Sequence, residues 1–274
     1  MAADEIALAL DWAAAEGWNP GLADAVPFAA IDPAGFLIGE VDGAPAAIIR
    51  VTNYDARFAF LGFYIVRPDL RGRGIGWRIW QAGMAHAGAR TVGLDGVVAQ
   101  QDNYRKSGFV FAYNNIRYGG VVRNNAPRAA SADMTVPLSQ VPFETLAHDD
   151  AKLFPAVREK FLRAWLDTPG HVGRALLRDG KLSAWGVIRP CRTGRKIGPI
   201  IADDRAAAEA VFAALLADGA GEVFLDVPQP NRDAAALAQA HGLAPVFETA
   251  RMYRGDIRDV ALARVFGVTT FELG

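Results

Sequence analysis

The clearest hydrophobic pattern along the chain is a strand followed at once by a helix. Residues 59–66 form an apolar run of aromatic and β-branched side chains that predicts a buried strand. Pro68 ends this strand, because proline has no N–H to donate to a neighbouring strand. The helix beyond it, extending to about Ala87, carries an apolar stripe at helical spacing, formed by Ile75, Ile79, Trp80 and Met84. A buried strand that feeds a helix is typical of an α/β fold.

Shorter patterns predict the other elements of the first half. The predicted helices are 4–16 and 21–30, and the further predicted strands are 36–41, 46–51, 92–98 and 109–118. Asp42-Gly43 separates the first two of these strands and predicts a hairpin. The strand at 92–98 follows a helix, so we expect it to run parallel to the strand at 59–66. The fold class predicted is α/β with a mixed sheet.

The loop between the central strand and its helix is rich in glycine and arginine. Glycine at positions 72, 74 and 76 permits positive φ and removes Cβ atoms, so successive backbone N–H groups can converge on one anion. The helix N-terminus behind the loop adds about half a positive charge. Four arginines and one aspartate between positions 67 and 78 give the loop a charge of +3, whereas the whole chain carries −1. The pattern predicts a phosphate-binding loop.

Two common phosphate motifs do not fit this loop. The Rossmann motif would need glycine at the position of Trp77, and the P-loop would need a Lys-Ser or Lys-Thr that is absent here. The motif R-x-x-G-x-G does fit, at Arg71, Gly74 and Gly76, and it resembles the pyrophosphate loop of the GNAT superfamily of acetyl-CoA-dependent N-acetyltransferases. The resemblance implies that acetyl-CoA binds here, with CoA as product. Loop amides would hold the pyrophosphate, and the preceding strand, splayed from its neighbour, would bind the pantetheine arm. The implied cofactor residues are Tyr64, Ile65, Val66, Arg71, Gly72, Arg73, Gly74, Ile75, Gly76 and Trp77.

A second motif strengthens the resemblance. The stretch Asn103-Tyr104-x-Lys106-x-Gly108-Phe109 is similar to the segment that follows the fifth strand of GNAT enzymes, and it lies 27 residues beyond Trp77. The resemblance implies that Tyr104 points at the thioester sulfur, and it adds Asn103, Tyr104 and Lys106 to the cofactor residues. Here Asn103 directly precedes Tyr104, whereas several residues separate the two in many relatives.

The second half of the chain repeats the order of elements of the first. It contains a hairpin at Asp179-Gly180, a strand at 198–202, an alanine-rich helix at 205–217 and a strand at 221–227. Corresponding residues are offset by 128 to 134 positions, as in the pairs Asp95 and Asp226, Asn103 and Asn231, and Gly108 and Gly242. This regularity suggests an internal duplication, with a coincidence of two ordinary α/β halves as the alternative.

The repeat has lost the phosphate loop. Asp203-Asp204 followed by alanines stands where the first half has its glycines, and carboxylates would repel a pyrophosphate. The arrangement resembles the YitH-like GNAT subgroup with a degenerate second domain. It implies tandem GNAT-like folds, with an acetyl-CoA-binding domain at 1–125, a linker at 126–150 and a degenerate domain at 151–274. We expect Asp149-Asp150 to cap a helix at 151–166.

The implied reaction is direct attack of a small-molecule primary amine on acetyl-CoA in a ternary complex. An ammonium group has no lone pair, so a base is needed, and the candidates are Asp55 and Asp95 or a water chain to a backbone carbonyl. The counterpart of Asp95 in the repeat also favours a structural role for that residue. Backbone N–H near Ile65 or Val66 would stabilise the oxyanion, and Tyr104 would protonate the leaving thiolate. Candidate acceptor-binding residues on the first helices are Trp18 and Asn19, with core packing as their alternative role.

Composition narrows the function classes. A net charge of −1 and a pI near 6.4 argue against a general nucleic-acid binder. No apolar run approaches 18 residues and the N-terminus lacks a basic region, so no membrane partner and no secretory signal are predicted. The single cysteine is compatible with a cytoplasmic location, and the four scattered histidines predict no metal site. The expected partner is a small-molecule amine, and the expected state is a monomer or homodimer.

Two other functions remain open from the sequence. An acyl-CoA-binding sensor or scaffold would keep the loop but lack turnover, and a nucleotide-dependent oxidoreductase is disfavoured by Trp77. The basic stretch from Arg189 to Lys196, which contains Cys191, is expected to be a solvated hairpin turn.

Overall fold

The computed structural model describes residues 5–122, 135–217, 219–257 and 259–274. The α-helices are α1 Ile6–Ala15, α2 Ala25–Ile31, α3 Ile75–Ala87, α4 Gln101–Lys106, α5 Phe143–Asp150, α6 Glu159–Asp167, α7 Arg205–Leu216 and α8 Arg232–Ala240. The strands are β1 Phe36–Val41, β2 Ala44–Asn53, β3 Phe58–Val66, β4 Thr91–Val97, β5 Val110–Val122, β6 Thr135–Pro137, β7 Val172–Arg178, β8 Lys181–Pro190, β9 Arg195–Ala202, β10 Gly221–Pro228, β11 Ala244–Arg254 and β12 Val265–Gly267. These elements confirm the predicted α/β class.

All described strands belong to one mixed sheet. Its order is β1-β2-β3-β4-β11-β5-β10-β9-β8-β7-β6, with β12 paired to β9. The pairs β3–β4 and β9–β10 are parallel, as expected for strands joined by a crossover helix, and the other pairs are antiparallel. The Asp-Gly hairpins β1–β2 and β7–β8 form as predicted, with positive φ at Asp42 and Asp179.

The two halves of the chain exchange strands at the centre of the sheet. Strand β11 from the second half lies between β4 and β5 of the first half. In the same way β5 lies between β11 and β10, which both belong to the second half. Each half therefore completes its sheet with a strand of the other, so the predicted segments 1–125 and 151–274 share one continuous sheet.

Two buried ion pairs repeat the symmetry of this exchange. Arg251 on β11 donates from Nε and Nη2 to the two oxygens of Asp95 on β4, each at 2.8 Å. Arg117 on β5 donates in the same way to Asp226 on β10, at 2.6 and 2.8 Å. Asp95 and Asp226 thus occupy equivalent positions, and in both pairs the carboxylate and the guanidinium come from different halves.

The largest hydrophobic core also crosses between the halves. It contains Phe28, Phe36 and Phe63 from the first half and Trp165 and Trp185 from the second, all fully or almost fully buried. Burial of aromatic side chains from both halves in one cluster stabilises them as a unit.

Two sequence expectations need correction. Asp149 and Asp150 do not cap a helix at 151–166; they end α5, because Pro155 interrupts the expected helix and Pro142 starts an earlier one. Both carboxylates are buried, and Asp150 accepts two hydrogen bonds from Arg158.

The second correction concerns the basic stretch, in which Arg189, Cys191 and Lys196 are buried rather than solvated. The guanidinium of Arg189 pairs with Asp24, and Lys196 donates to the carbonyl of Asn19. The linker at 126–150 stays a prediction: residues 135–150 contain β6, a short 3-10 helix and α5, whereas 126–134 lie outside the described residues.

Candidate active site

Strands β3 and β4 separate halfway along their length. They pair only from Phe58 opposite Thr91 to Leu61 opposite Leu94, and beyond these residues no pairing continues. The separation coincides with a bulge in β3 opposite β2, where Phe63 has a φ of 50°. A bulge bends its strand and increases the local twist, which directs the second half of β3 away from β4.

Packing holds Phe63 in this uncommon conformation. A left-handed backbone costs a residue other than glycine roughly 1–2 kcal/mol, so the surroundings must enforce it. The ring of Phe63 is fully buried against the rings of Trp18, Phe28 and Phe36, at centroid distances of 6.5, 5.8 and 5.5 Å. Backbone strain of this kind is concentrated at functional sites.

A cavity of about 540 Å³ occupies the space between the separated strands. It reaches from the glycine loop to the centre of the sheet. The residues that line it are Glu16, Trp18, Leu61, Gly62, Phe63, Tyr64, Ile65, Val66, Arg71, Gly72, Gly76, Leu94, Asp95, Val97, Ala99, Gln100, Tyr104, Phe247, Thr249, Phe271 and Glu272. Its volume lies within the usual range of small-molecule sites, and its walls are mostly apolar.

The glycine loop forms one mouth of the cavity. Gly72 and Gly74 have φ values of 77° and 78°, which explains the choice of glycine there. A Cβ at Gly76 would lie 2.7 Å from the hydroxyl of Tyr64, so this third glycine allows a close approach. Helix α3 begins at Ile75, and the amides of residues 73–77 make no hydrogen bond within the described residues. These unpaired amides at a helix N-terminus form a ready anion site.

The arginines of the glycine loop differ in their hydrogen-bond partners and in their exposure to solvent. Arg71 pairs with Glu16 of the segment after α1 and donates to the carbonyl of Val66. Arg67 forms a two-point pair with Asp69. Arg73 is exposed, as is Trp77, whose exposed fraction is 57%. The loop therefore presents its backbone and Arg71 to the cavity, while Arg73 and Trp77 face solvent at the rim.

Tyr104 lies in the wall between the loop and the centre of the sheet. Its ring stacks on Trp80 at 5.6 Å, and a Cβ at Gly96 would lie 2.5 Å from it. Burial, with a smaller effect from Tyr64, raises the pKa of the Tyr104 hydroxyl well above its ordinary value. The hydroxyl therefore keeps its proton at neutral pH and can donate it.

The structure does not bring all predicted site residues together. Asn103 is exposed and donates to Gln100, and Lys106 is exposed, so neither lines the cavity. Trp18 lines it, whereas Asn19 points elsewhere and pairs with the backbone of Thr193.

Neither predicted carboxylate base is suitably placed. Asp55 lies at the opposite end of β3 from the loop, roughly 25 Å away along the strand, and accepts from the amides of Arg57 and Phe58. Asp95 lines the cavity, but Arg251 and Asn115 occupy its oxygens. Both aspartates therefore make structural contacts in the fold, which disfavour either of them as the base, and their assignment as the base stays a prediction.

Four cavity residues come from the second half and were missed by sequence reasoning. They are Phe247, Thr249, Phe271 and Glu272. The exchange of β11 brings the first two beside β4, and residues 268–274, which follow β12 and are called here the 268–274 segment, bring the other two. No local pattern in the sequence marks them, because their position depends on pairing between distant parts of the chain.

The equivalent site of the second half is filled. Strand β12 pairs with β9, and the amide of Val268 donates to the carbonyl of Asp226 on β10. At the start of α7, Asp204 accepts from the amide of Ala207 at 2.8 Å, which occupies an amide that an anion would need. These contacts leave the first half with the open cavity.

Neither a metal-ligand cluster nor a membrane-spanning helix is found in the described ranges. No group of three or more His, Cys, Asp or Glu side chains there is arranged to hold a metal ion. None of the helices in these ranges combines the length and hydropathy that a membrane crossing requires.

Comparison with known proteins places the fold and the site in a family. The model of the acetyltransferase (GNAT) family matches residues 4–109, and that of an acetyltransferase (GNAT) domain matches residues 147–267. The holothin acyltransferase of Pseudoalteromonas sp. (strain SANK 73390) is 31% identical over 267 residues, which cover 96% of this chain and 90% of that protein.

Two solved structures share the fold. A presumed acetyltransferase from Pyrococcus horikoshii superposes with a TM-score of 0.85 at 22% identity, covering 100% of this chain and 94% of that one. A tandem GNAT protein from the clavulanic acid biosynthesis pathway has a TM-score of 0.62 at 16% identity, covering 94% and 98%. The duplication predicted from the sequence is confirmed, the protein is an acyltransferase, and the chain belongs to the GNAT acetyltransferase family.

Proposed function

We propose that the protein transfers an acetyl group from acetyl-CoA to the primary amine of a small molecule, by direct attack in a ternary complex. The observation that carries this proposal is the cavity between β3 and β4, because it joins the unpaired amides of the glycine loop to an apolar chamber. A diphosphate at the loop and a thioester in the chamber would fit such a channel.

The residues present fit the cofactor. The amides of residues 73–77 and Arg71 offer donors to a pyrophosphate. Beyond Leu61 the β4-facing edge of β3 has no strand partner, so its backbone groups, apart from the Val66 carbonyl that accepts from Arg71, are available to the amides of a pantetheine arm. Tyr64, Ile65 and Val66 lie on this edge and line the cavity.

The proposed reaction uses the chain's own groups for two steps. As the amine nitrogen bonds to the carbonyl carbon, the negative charge on the oxygen is stabilised by a backbone N–H near Ile65 or Val66. When the C–S bond breaks, the electron pair goes to sulfur and Tyr104 supplies the proton. Burial raises the pKa of Tyr104, so its hydroxyl carries the proton at neutral pH and can donate it to the sulfur as the thiolate forms.

The test is thiol release from acetyl-CoA with a panel of primary amines, together with calorimetry of CoA binding. The panel should include holothin, because the relative from Pseudoalteromonas is named for it. Amine-dependent thiol release and CoA binding support the proposal. Binding without thiol release from any amine would leave the sensor alternative, and no binding at millimolar CoA would refute both. Action in the cytoplasm as a monomer or homodimer, and membership of the YitH-like subgroup, stay predictions.

A further inference from the structure

We propose that Glu272, from the second half of the chain, is the carboxylate that binds the acceptor amine and takes its proton, and that the acceptor is a monoamine with a flat apolar body. This inference rests on the proposed function and adds to it the base and the acceptor class.

The first observation is an unpaired buried oxygen on a carboxylate residue that lines the cavity. Glu272 is 3% exposed and lines the cavity, and its Oε2 has no hydrogen-bond partner. Thr249, on the same wall and 1% exposed, has an unpaired Oγ1. Buried polar atoms are rarely left without partners, because burial removes their hydrogen bonds to water without replacing them. Two such atoms in one chamber point to a ligand that donates hydrogen bonds, as an ammonium or amine does.

The second observation is the position of Glu272 at the point where the strands separate. A Cβ at Gly62 would lie 2.2 Å from the backbone oxygen of Glu272, so glycine is needed there for the 268–274 segment to pass. The hydroxyl of Thr270 caps the amide of Leu273, and Tyr54 donates to the carbonyl of Leu273 at 2.7 Å. The segment is thus fixed beside Phe63, where β3 turns away and where the proposed oxyanion donors follow.

A purely structural role for Glu272 is the competing explanation. Arg117, Arg189 and Lys196 are buried within electrostatic range of its carboxylate. Asp226 neutralises Arg117 and Asp24 neutralises Arg189, whereas the carbonyls that Lys196 contacts carry no charge, so Glu272 helps to balance Lys196. Charge balance at this distance uses no hydrogen bond to Oε2, so this oxygen can still accept one from an amine.

The charges of the cavity select the acceptor class. Three carboxylates line it, and two are already bound, Glu16 by Arg71 and Asp95 by Arg251. One free carboxylate matches one cationic amine, whereas a polyamine would bring further charges without partners. The adjacent walls are the rings of Trp18, Phe247 and Phe271, with the last two 6.3 Å apart. Such walls favour a flat apolar body over a hydroxylated sugar.

The chemical step balances with these groups. The ammonium gives one proton to Glu272, and the freed lone pair forms the N–C bond to the thioester carbonyl. The C–S bond then breaks with its electron pair on sulfur, the amide nitrogen loses a second proton, and Tyr104 protonates the thiolate. The second proton of the nitrogen goes to solvent, and the proton on Glu272 is passed on to restore Tyr104. The products are an amide, CoA and one released proton, with both side chains returned to their starting states.

Glu272→Gln tests the assignment in the full-length protein, with phenethylamine as the monoamine and spermidine as the polyamine. We expect kcat to fall by about 100-fold or more, the range of general-base catalysis, with the Kd for CoA unchanged by calorimetry. Glu248→Gln is the matched control, because Glu248 is an exposed carboxylate on β11 next to Thr249, and it should not alter turnover. The wild-type protein should prefer phenethylamine to spermidine at least tenfold in kcat/KM.

Two further variants separate catalysis from folding. Glu272→Asp keeps the charge but withdraws the carboxylate by one methylene, so full activity would indicate charge balance alone and overturn the proposal, whereas a loss of kcat supports it. Thr249→Val should raise KM for the amine about 3- to 10-fold, the value of one hydrogen bond. A Glu272→Gln effect confined to KM, or a preference for spermidine, would also overturn the proposal. If the wild type released no thiol with any amine, the proposed function itself would fail.

Discussion

Replacing Asp95 by Asn should lower the stability of the fold and leave the rate of turnover nearly unchanged. The side chain of Arg251 is 5% exposed and that of Asp95 is fully buried, so the substitution leaves a cation in the sheet without its counter-charge. Burial by itself would lower the pKa of Arg251, but the Asp95 carboxylate outweighs this effect and holds it well above its ordinary value. A guanidinium loses its proton only at very alkaline pH, so it stays charged in the variant.

The magnitude follows from this geometry. Removing one partner of a buried ion pair costs about 3–5 kcal/mol, out of a total stability of about 5–15 kcal/mol. At about 2–4 °C per kcal/mol for a chain of this size, Tm should fall by roughly 6–20 °C. At 25 °C the folded fraction of the variant should still turn over substrate at a rate within about threefold of the wild type, since the proposed mechanism assigns the proton transfer to Glu272 and not to Asp95.

Thermal denaturation and steady-state kinetics on the same samples measure both effects. Asp226→Asn is the matched control, because Asp226 holds Arg117 in the equivalent pair and lies outside the cavity. It should lower Tm by a similar amount. The double variant Asp95→Leu with Arg251→Met should be more stable than Asp95→Asn, because no charge is left unpaired. If Asp95→Asn instead slowed turnover about 100-fold or more, the range of general-base catalysis, and left Tm unchanged, the reasoning would be refuted and Asp95 restored as the base.

Three other predictions concern the loop, the proton donor and pH. Gly74→Ala and Gly43→Ala should each lower the free energy of unfolding by about 1 kcal/mol, because both glycines have left-handed φ and open space around them. Only Gly74→Ala should also raise the Kd for CoA, at least tenfold by calorimetry. Tyr104→Phe should lower kcat at least tenfold and leave the Kd for CoA within twofold of the wild-type value. If kcat and the affinity for CoA fell by the same factor, Tyr104 would have a packing role. Burial, with Arg189 nearby, lowers the pKa of His171 to about 4. Below pH 6.5 the unfolded chain therefore binds more protons than the folded chain, so the free energy of unfolding should fall by up to about 3 kcal/mol between pH 6.5 and 4. Urea denaturation at both pH values should show a smaller fall for His171→Asn, and an equal fall would contradict this cause.

Local features of the fold could be predicted because their determinants are adjacent in sequence. The Asp42-Gly43 turn selects its hairpin by backbone conformation alone, and the run at 59–66 followed by glycines specifies strand, loop and helix in order. The phosphate loop belongs to this group, since its amides and its glycines lie within six consecutive residues.

The exchange of strands could not be predicted in the same way. The hydrophobic pattern of β11 is satisfied equally well beside β4 or beside β10, so the pattern does not choose the neighbour. The acceptor side of the cavity depends on that choice, which is why Thr249 and Glu272 carried no signal. The error at Asp149-Asp150 had a local cause instead, because Pro155 already excluded an uninterrupted helix there.

The interleaved sheet has a consequence for synthesis of the protein. Strand β4 ends at Val97, but its neighbour β11 begins only at Ala244, so about 150 further residues must be translated before the two can pair, which takes roughly 10–30 s at ribosomal speeds. Until then the facing edges of β4 and β5 stay open to other chains. The nascent polypeptide therefore exposes two open strand edges from the synthesis of β5 until that of β11, and the cavity between β3 and β4 cannot be completed before the 268–274 segment has been made.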